Sequence, residues 1–114
     1  MKIAIIVRSR TLEKCTGRGC LNAFANRSDA FKSYGKEAEL VAFTHDGGDL
    51  QHKIENLKRQ GVEVVHLSTC LRGKSAGYEA LAQKLSRDFD VVGYTHGTFQ
   101  GRTREAICLN RKSK

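Results

Sequence analysis

Four short apolar runs, each rich in strand-favouring residues, constrain the fold more than any other feature of the sequence. The predicted strands cover residues 3–7, 40–43, 62–67 and 91–94. Apolar residues at helical spacing fill the intervals, and the predicted helices cover residues 20–33, 49–60 and 76–87. Alternating strands and helices indicate an α/β domain. Right-handed crossovers then predict a three-layer, mostly parallel four-stranded sheet of order 2-1-3-4, with helices on both faces.

The length of 114 residues suits a single domain. We assign residues 1–97 to the α/β domain and residues 98–114 to a basic C-terminal extension, which either adds a short strand at residues 104–109 or hangs free. The only apolar run near the start, residues 3–7, is too short for a signal sequence or a membrane span. We therefore expect a cytoplasmic protein that does not associate with membranes.

The net charge of +8 is concentrated at the two ends of the chain. Residues 1–36 hold eight basic and two acidic residues, and residues 98–114 hold five basic and one acidic residue. Such asymmetry suits an anionic ligand or nucleic acid, but also a solvated surface with a loose cationic tail. Aromatic residues are few and are not interleaved with the basic ones, which makes nucleic acid an unfavoured partner.

Reactive side chains follow each predicted strand. Because parallel strands end at the same edge of a sheet, these side chains are expected to gather there. In a reducing compartment, cysteines favour metal or redox roles over structural disulfides. We predict a metal ion as partner, zinc with iron as the alternative, and the candidate ligands are Cys15, Cys20, His45, Asp46, Asp49, Cys70 and His96.

Two other functions remain open for the same edge of the sheet. A thiol-based redox protein would use Cys15, Cys20 or Cys70 as its nucleophile. An anion-binding or nucleotide-binding module would use Arg8, Arg10 and Arg18 of the first loop together with the basic tail at residues 111–114. A tyrosine-phosphatase loop is excluded, because the position that requires arginine holds Leu21 after Cys15 and Ala76 after Cys70.

The histidines and the aspartates also have structural interpretations. Asp46 or Asp49 can cap the second helix, with the glycines between them making the turn. His66 lies within a predicted strand and is expected to be a hydrogen-bonded core residue, whereas His52 should be exposed on a helix. Cys108 lies in the C-terminal extension and is expected to remain outside the site.

The chain resembles the CGGC domain family, small bacterial and archaeal proteins, over about residues 1–97. The resemblance rests on the opening strand, the segment from Cys15 to Cys20, the Gly47-Gly48 pair and the Thr95-His96 pair. It also rests on the stretches at residues 30–34, 40–43 and 64–70. The many cysteines and histidines of the family imply zinc binding as its expected property.

The chain departs from the family pattern at the motif that names it. Asp46 and Asp49 stand where the family has the two cysteines that flank Gly-Gly. A further family cysteine is absent from residues 72–78. Dithiol exchange at the central motif is therefore impossible in this chain. The resemblance then implies one of two outcomes: a harder and weaker metal site of three thiols, His96 and an aspartate, or loss of the site and another use of the fold. It names neither a reaction nor an oligomeric state.

Overall fold

The computed structural model describes residues 1–112, so the last two residues of the predicted cationic tail lie outside the described part. The strands are β1 (Lys2–Val7), β2 (Glu39–His45), β3 (Val64–Leu67), β4 (Asp90–Val92) and β5 (Cys108–Leu109). The helices are α1 (Arg18–Ala25), α2 (Leu50–Arg59), α3 (Thr69–Lys74) and α4 (Tyr78–Leu85), with 3₁₀ turns at Thr11–Glu13 and Asp29–Phe31. Within residues 1–112, no helix is both long and apolar enough to cross a membrane.

One sheet joins the strands in the order β2-β1-β3-β4-β5. The first four pair in parallel, and β5 pairs antiparallel with β4. The prediction of a mostly parallel α/β sheet is confirmed, but the order 2-1-3-4 is only part of the sheet and the count of four strands is wrong. The hydroxyl of Tyr78 donates to the Gly93 carbonyl at 2.6 Å and accepts from the Ile107 amide at 2.9 Å. These bonds hold the segment before β5 against the end of β4.

Strand β1 lies at the centre of the sheet and supplies both halves of the core. Ile3, Ile5 and Val7 pack in the cluster that contains residues of α1. Ala4 and Ile6 pack on the opposite face, in the cluster that contains residues of α2, α3 and α4. All five side chains are at most 1 % exposed. This alternation explains the continuous apolar run, because a central parallel strand is covered on both faces.

Two helices, α2 and α4, lie within their predicted ranges, but α1 ends earlier than predicted and α3 was not predicted. Helix α1 is shorter than residues 20–33 because Arg27 and Asp29 adopt left-handed backbone angles, with φ of 50° and 52°. The guanidinium of Arg27 donates to the carbonyls of Phe24 and Ala38, at 2.6 and 3.0 Å, and so satisfies acceptors at this chain reversal. Helix α3 was not predicted, since it is only six residues long and begins directly after β3.

Candidate functional site

Four of the seven candidate ligands line one small cavity at the carboxyl end of the parallel strands. The cavity has a volume of about 70 Å³, and its wall includes Val7, the last residue of β1. Its sulfur and imidazole groups belong to Cys15, Cys20, Cys70 and His96. Three thiols and one imidazole therefore reach the same space from three segments of the chain.

Gly17 sets the turn between the first two thiols. It precedes α1 and has a left-handed φ of 83°, which glycine adopts without steric cost. A Cβ at this position would also collide with the ring of Phe43. The amide of Gly17 donates to the sulfur of Cys15 at 3.3 Å. The glycine thus allows the exposed Cys15 to lie beside a helix that carries Cys20 on its inner face.

Cys20 is the buried thiol of the cavity, with 6 % of the residue exposed. Its sulfur lies 3.1 Å from Oγ1 of Thr95. Burial raises the pKa of the Cys20 thiol above its ordinary value; the Thr95 contact lowers it by less, and electrostatic repulsion with the neighbouring Cys70 and Cys15 raises it further. Cys20 is therefore a poor nucleophile, because attack requires the thiolate.

Cys70 is the second residue of α3 and is half-buried. Ser68 precedes the helix, and its hydroxyl oxygen accepts from the Leu71 amide at 3.3 Å. The Cys70 sulfur lies 2.8 Å from the same hydroxyl oxygen. Cys70 thus sits on a capped helical turn rather than in the loop that the sequence predicted.

His96 is positioned through Thr69, the first residue of α3. The Thr69 hydroxyl donates to the His96 carbonyl at 2.6 Å and accepts from the His96 amide at 3.2 Å. The imidazole lies against α1, so that a Cβ on Gly19 would come 3.0 Å from Nε2. Thr69 and Thr95 were assigned no role from the sequence, although each follows directly on a strand end where loop residues enter such sites.

The other three candidate ligands lie outside this cavity and have structural partners. Nδ1 of His45 accepts from the Gly47 amide at 3.0 Å. The carboxylate of Asp46 accepts from the Ser9 amide at 2.9 Å. Asp49 caps α2 by accepting from the amide of His52 at 3.0 Å, as the structural interpretation of this residue predicts. The ammonium of Lys53 ties the loop together through the carbonyls of His45 and Gly47, both at 2.8 Å.

Over residues 1–112, no three His, Cys, Asp or Glu side chains converge closely enough to hold a metal ion as they stand. The donor set of the cavity nevertheless matches zinc chemistry, since cysteine and histidine are the ligands of structural zinc sites.

His66 has the structural role expected from its position in a strand. The residue is fully buried, and its Nδ1 lies 3.0 Å from the Tyr94 carbonyl, so this nitrogen carries the donated proton. Its Nε2 then accepts from the Tyr34 hydroxyl at 2.8 Å. Burial lowers the pKa of His66 from 6.5 to about 4, with a smaller opposing effect of the Tyr94 bond. His52 and Cys108 are both exposed.

Comparison with known proteins supports one assignment. A family model described as the CGGC domain matches residues 2–96. Among curated proteins and among solved structures, nothing matches significantly. The family match covers far more than half of the chain and includes the whole segment from Cys15 to His96. The chain therefore belongs to the CGGC domain family.

Proposed function

We propose that this CGGC domain binds a zinc ion through Cys15, Cys20, Cys70 and His96. The observation that carries the proposal is their common cavity at the carboxyl end of the sheet. Three thiols and one imidazole form one of the donor sets that structural zinc sites use. Iron is the alternative ion, because thiolates and imidazoles also bind it.

The cavity has room for an ion, since its volume of about 70 Å³ exceeds the roughly 30 Å³ that a water molecule occupies in the liquid. Cys15 is exposed, and Cys70 and His96 are half-buried. The proposal requires these side chains to turn toward one another on binding, because they do not converge in the described residues. Binding is therefore expected to move the side chains of Cys15, Cys70 and His96 toward Cys20.

Zinc held by four protein ligands has no open position for a substrate, so the proposed role is structural rather than catalytic. Such a site would link the start of α1, the start of α3 and the end of β4. His45, Asp46 and Asp49 are omitted from the proposed ligand set, because none of them lines the cavity that the four proposed ligands share. The predicted reducing cytoplasm would keep the three thiols available to the metal.

Competition with a chromophoric zinc chelator tests the ligand set one residue at a time. Loss of a residue that hydrogen-bonds and orients a metal ligand weakens metal binding about 10- to 100-fold, and loss of the ligand itself should weaken it at least that much. The variants are Cys15→Ser, Cys20→Ser, Cys70→Ser and His96→Ala. Two exposed residues outside the cavity provide matched controls, Cys108→Ser and His52→Ala. Equal zinc affinity in the cavity variants and the controls would contradict the proposal.

Thiol chemistry at Cys15 or Cys70 is the second candidate function. The exposure of Cys15, which a soluble reagent can reach, favours it. The raised pKa of Cys20 counts against that residue as the nucleophile. This candidate predicts that Cys15 or Cys70 reacts with iodoacetamide below neutral pH much faster than Cys108 in metal-free protein. Uniform slow alkylation of all three exposed or half-buried thiols would exclude it.

A further inference from the structure

A second and larger cavity lies between α3 and the chain that follows His96. Its volume is about 450 Å³, which falls within the usual range for small-molecule sites of about 300–1,000 Å³. The lining residues that matter for its chemistry are Thr69, Arg72, Gly73, Lys74, Thr98 and Arg102. Arg8, Arg10 and Arg18, the predicted anion-binding residues, do not line it.

The lining of this cavity is cationic and uncompensated. Arg72, Lys74 and Arg102 contribute three positive charges, and the lining includes no Asp or Glu. Among the described residues, none of the three forms an ion pair with a carboxylate. Buried charges are normally paired. Lys74 and Arg102 are exposed, so the argument rests on Arg72, a buried cation without a carboxylate partner, whose charge a negatively charged ligand would neutralise.

Arg72 is the central cation, since only 3 % of the residue is exposed. Its Nη1 donates to the carbonyls of Thr98 and Phe99, at 2.8 and 3.0 Å. Nε and Nη2 of Arg72 have no hydrogen-bond acceptor among residues 1–112. In this part of the chain, every side-chain nitrogen that is sealed from solvent does have a hydrogen-bond partner. These two nitrogens must therefore reach solvent, and the cavity is the opening that Arg72 lines.

Neighbouring groups hold Arg72 in place before any ligand arrives. Arg104 donates to the carbonyls of Arg72 and Ser75, both at 2.5 Å, and so fastens the end of α3. The Arg72 guanidinium carbon lies 5.3 Å from the centre of the Tyr94 ring. Gly101 packs against the guanidinium so closely that a Cβ there would come 2.9 Å from Cζ. Preorganised donors of this kind lose little freedom on binding.

We propose that this cavity binds a small molecule through its phosphate group. Guanidinium nitrogens match a phosphate bidentately, and three cations suit a dianion better than a single carboxylate. The Thr98 hydroxyl oxygen accepts from the Gly101 amide at 3.3 Å, which leaves its hydrogen to donate to the ligand. A volume of about 450 Å³ exceeds the need of inorganic phosphate, so the natural ligand is a phosphate ester.

Titration with inorganic phosphate at constant ionic strength, followed by backbone amide NMR shifts, tests the site directly. Saturable shifts are expected at Gly73 and over residues 97–103. The double variant Lys74→Gln with Arg102→Gln removes two exposed charges and keeps the interior contacts of Arg72. Each lost charge-assisted hydrogen bond weakens binding about tenfold or more, so the dissociation constant should rise at least tenfold.

A steric variant tests the cavity without changing its charge. A Cβ on Gly73 meets no atom within 4 Å, so Gly73→Leu should fold normally and place its side chain in open space at the cavity wall. It should also weaken phosphate binding about tenfold or more. The matched control for the charge variant Lys74→Gln with Arg102→Gln is Lys36→Gln with Arg59→Gln. It removes two exposed charges outside the cavity lining and should bind phosphate as the wild type does.

Three results would overturn the proposal. The first is shifts that do not saturate or that spread over the whole basic surface. The second is equal weakening in the charge variant and in its control, and the third is undiminished binding by Gly73→Leu. Amide dispersion confirms the fold of each variant. Because Cys70→Ser and His96→Ala should retain phosphate binding, failure of the metal proposal would not affect this one.

Discussion

Replacing Gly19 by alanine separates metal binding from folding more cleanly than removal of a thiol. Gly19 is the second residue of α1, and a Cβ there would lie 3.0 Å from Nε2 and 3.1 Å from Cδ2 of His96. Contacts this short force the imidazole to move by a few tenths of an ångström. Gly19→Ala therefore displaces a proposed ligand and leaves every donor atom in the protein.

The expected change in stability is small because two contributions oppose each other. Alanine is favoured over glycine by up to about 1 kcal/mol inside a helix, and by less in the first turn. Pushing the imidazole away from its preferred rotamer costs about 0.5–1.5 kcal/mol. The free energy of unfolding of the metal-free protein should therefore change by about 1 kcal/mol or less. Zinc affinity should fall about 10- to 100-fold, as it does when the support of a ligand is lost.

Urea unfolding of the metal-free protein measures the first quantity, and competition with a chromophoric chelator measures the second. The control is Gly77→Ala, where a Cβ meets only Oγ of Ser75 at 3.9 Å and lies outside the small cavity. Its zinc affinity should equal that of the wild type. Unchanged zinc affinity in Gly19→Ala would contradict the expectation that His96 binds zinc from its position beside α1, and a loss of more than about 3 kcal/mol in unfolding free energy would refute the packing argument.

Three further substitutions or conditions test single contacts. Gly17→Ala should destabilise the fold by about 2 kcal/mol or more in urea unfolding, because its φ of 83° and the Phe43 ring both oppose a side chain; an unchanged midpoint would contradict this. The pKa of His66 is about 4 in the folded state, against its ordinary value of 6.5 in the unfolded chain. The contribution of neutral His66 to the free energy of unfolding is therefore present above pH 6.5 and is lost as pH falls toward 4. The loss should approach about 3 kcal/mol, and His66→Gln should flatten this dependence in pH-resolved unfolding, whereas an identical profile would count against it. Asp49→Ala should cost about 1 kcal/mol through loss of the α2 cap while leaving zinc affinity unchanged; reduced zinc affinity would make Asp49 a ligand.

The parallel part of the fold was predictable because its signals are local. Each parallel strand shows a short apolar run, and the crossover rule orders these strands. For strand β5, the sequence left open whether residues 104–109 form a short strand or hang free, because the hydrogen bond from the Ile107 amide to the Tyr78 hydroxyl joins residues that are far apart in the sequence. The early end of α1 likewise depends on left-handed angles at Arg27 and Asp29, which residue type alone does not specify.

The edge of the sheet that carries the candidate site was predictable from topology. Which of the candidate ligands line the small cavity was not. Strand polarity brings the loops after β1, β2, β3 and β4 to one end, and this is independent of side-chain detail. Whether an aspartate caps a helix or faces a cavity depends on a few ångströms of backbone path. Asp49 and Cys70 both lie near the start of a helix, yet only Cys70 lines the small cavity. The larger cavity was not predictable, because Arg72 and Arg102 line the same space only when the chain after β4 folds back toward α3.

Metal content combined with cysteine mapping tests the central claim most directly. Untagged protein is loaded with zinc and desalted, its metal is quantified by plasma mass spectrometry, and alkylated cysteines are identified with and without chelator. The zinc proposal predicts one ion per chain, with Cys15 and Cys70 alkylated only after chelation and Cys108 alkylated in both conditions. Protein that retains no zinc, with Cys15 and Cys70 alkylated equally fast whether or not zinc is added, would contradict it.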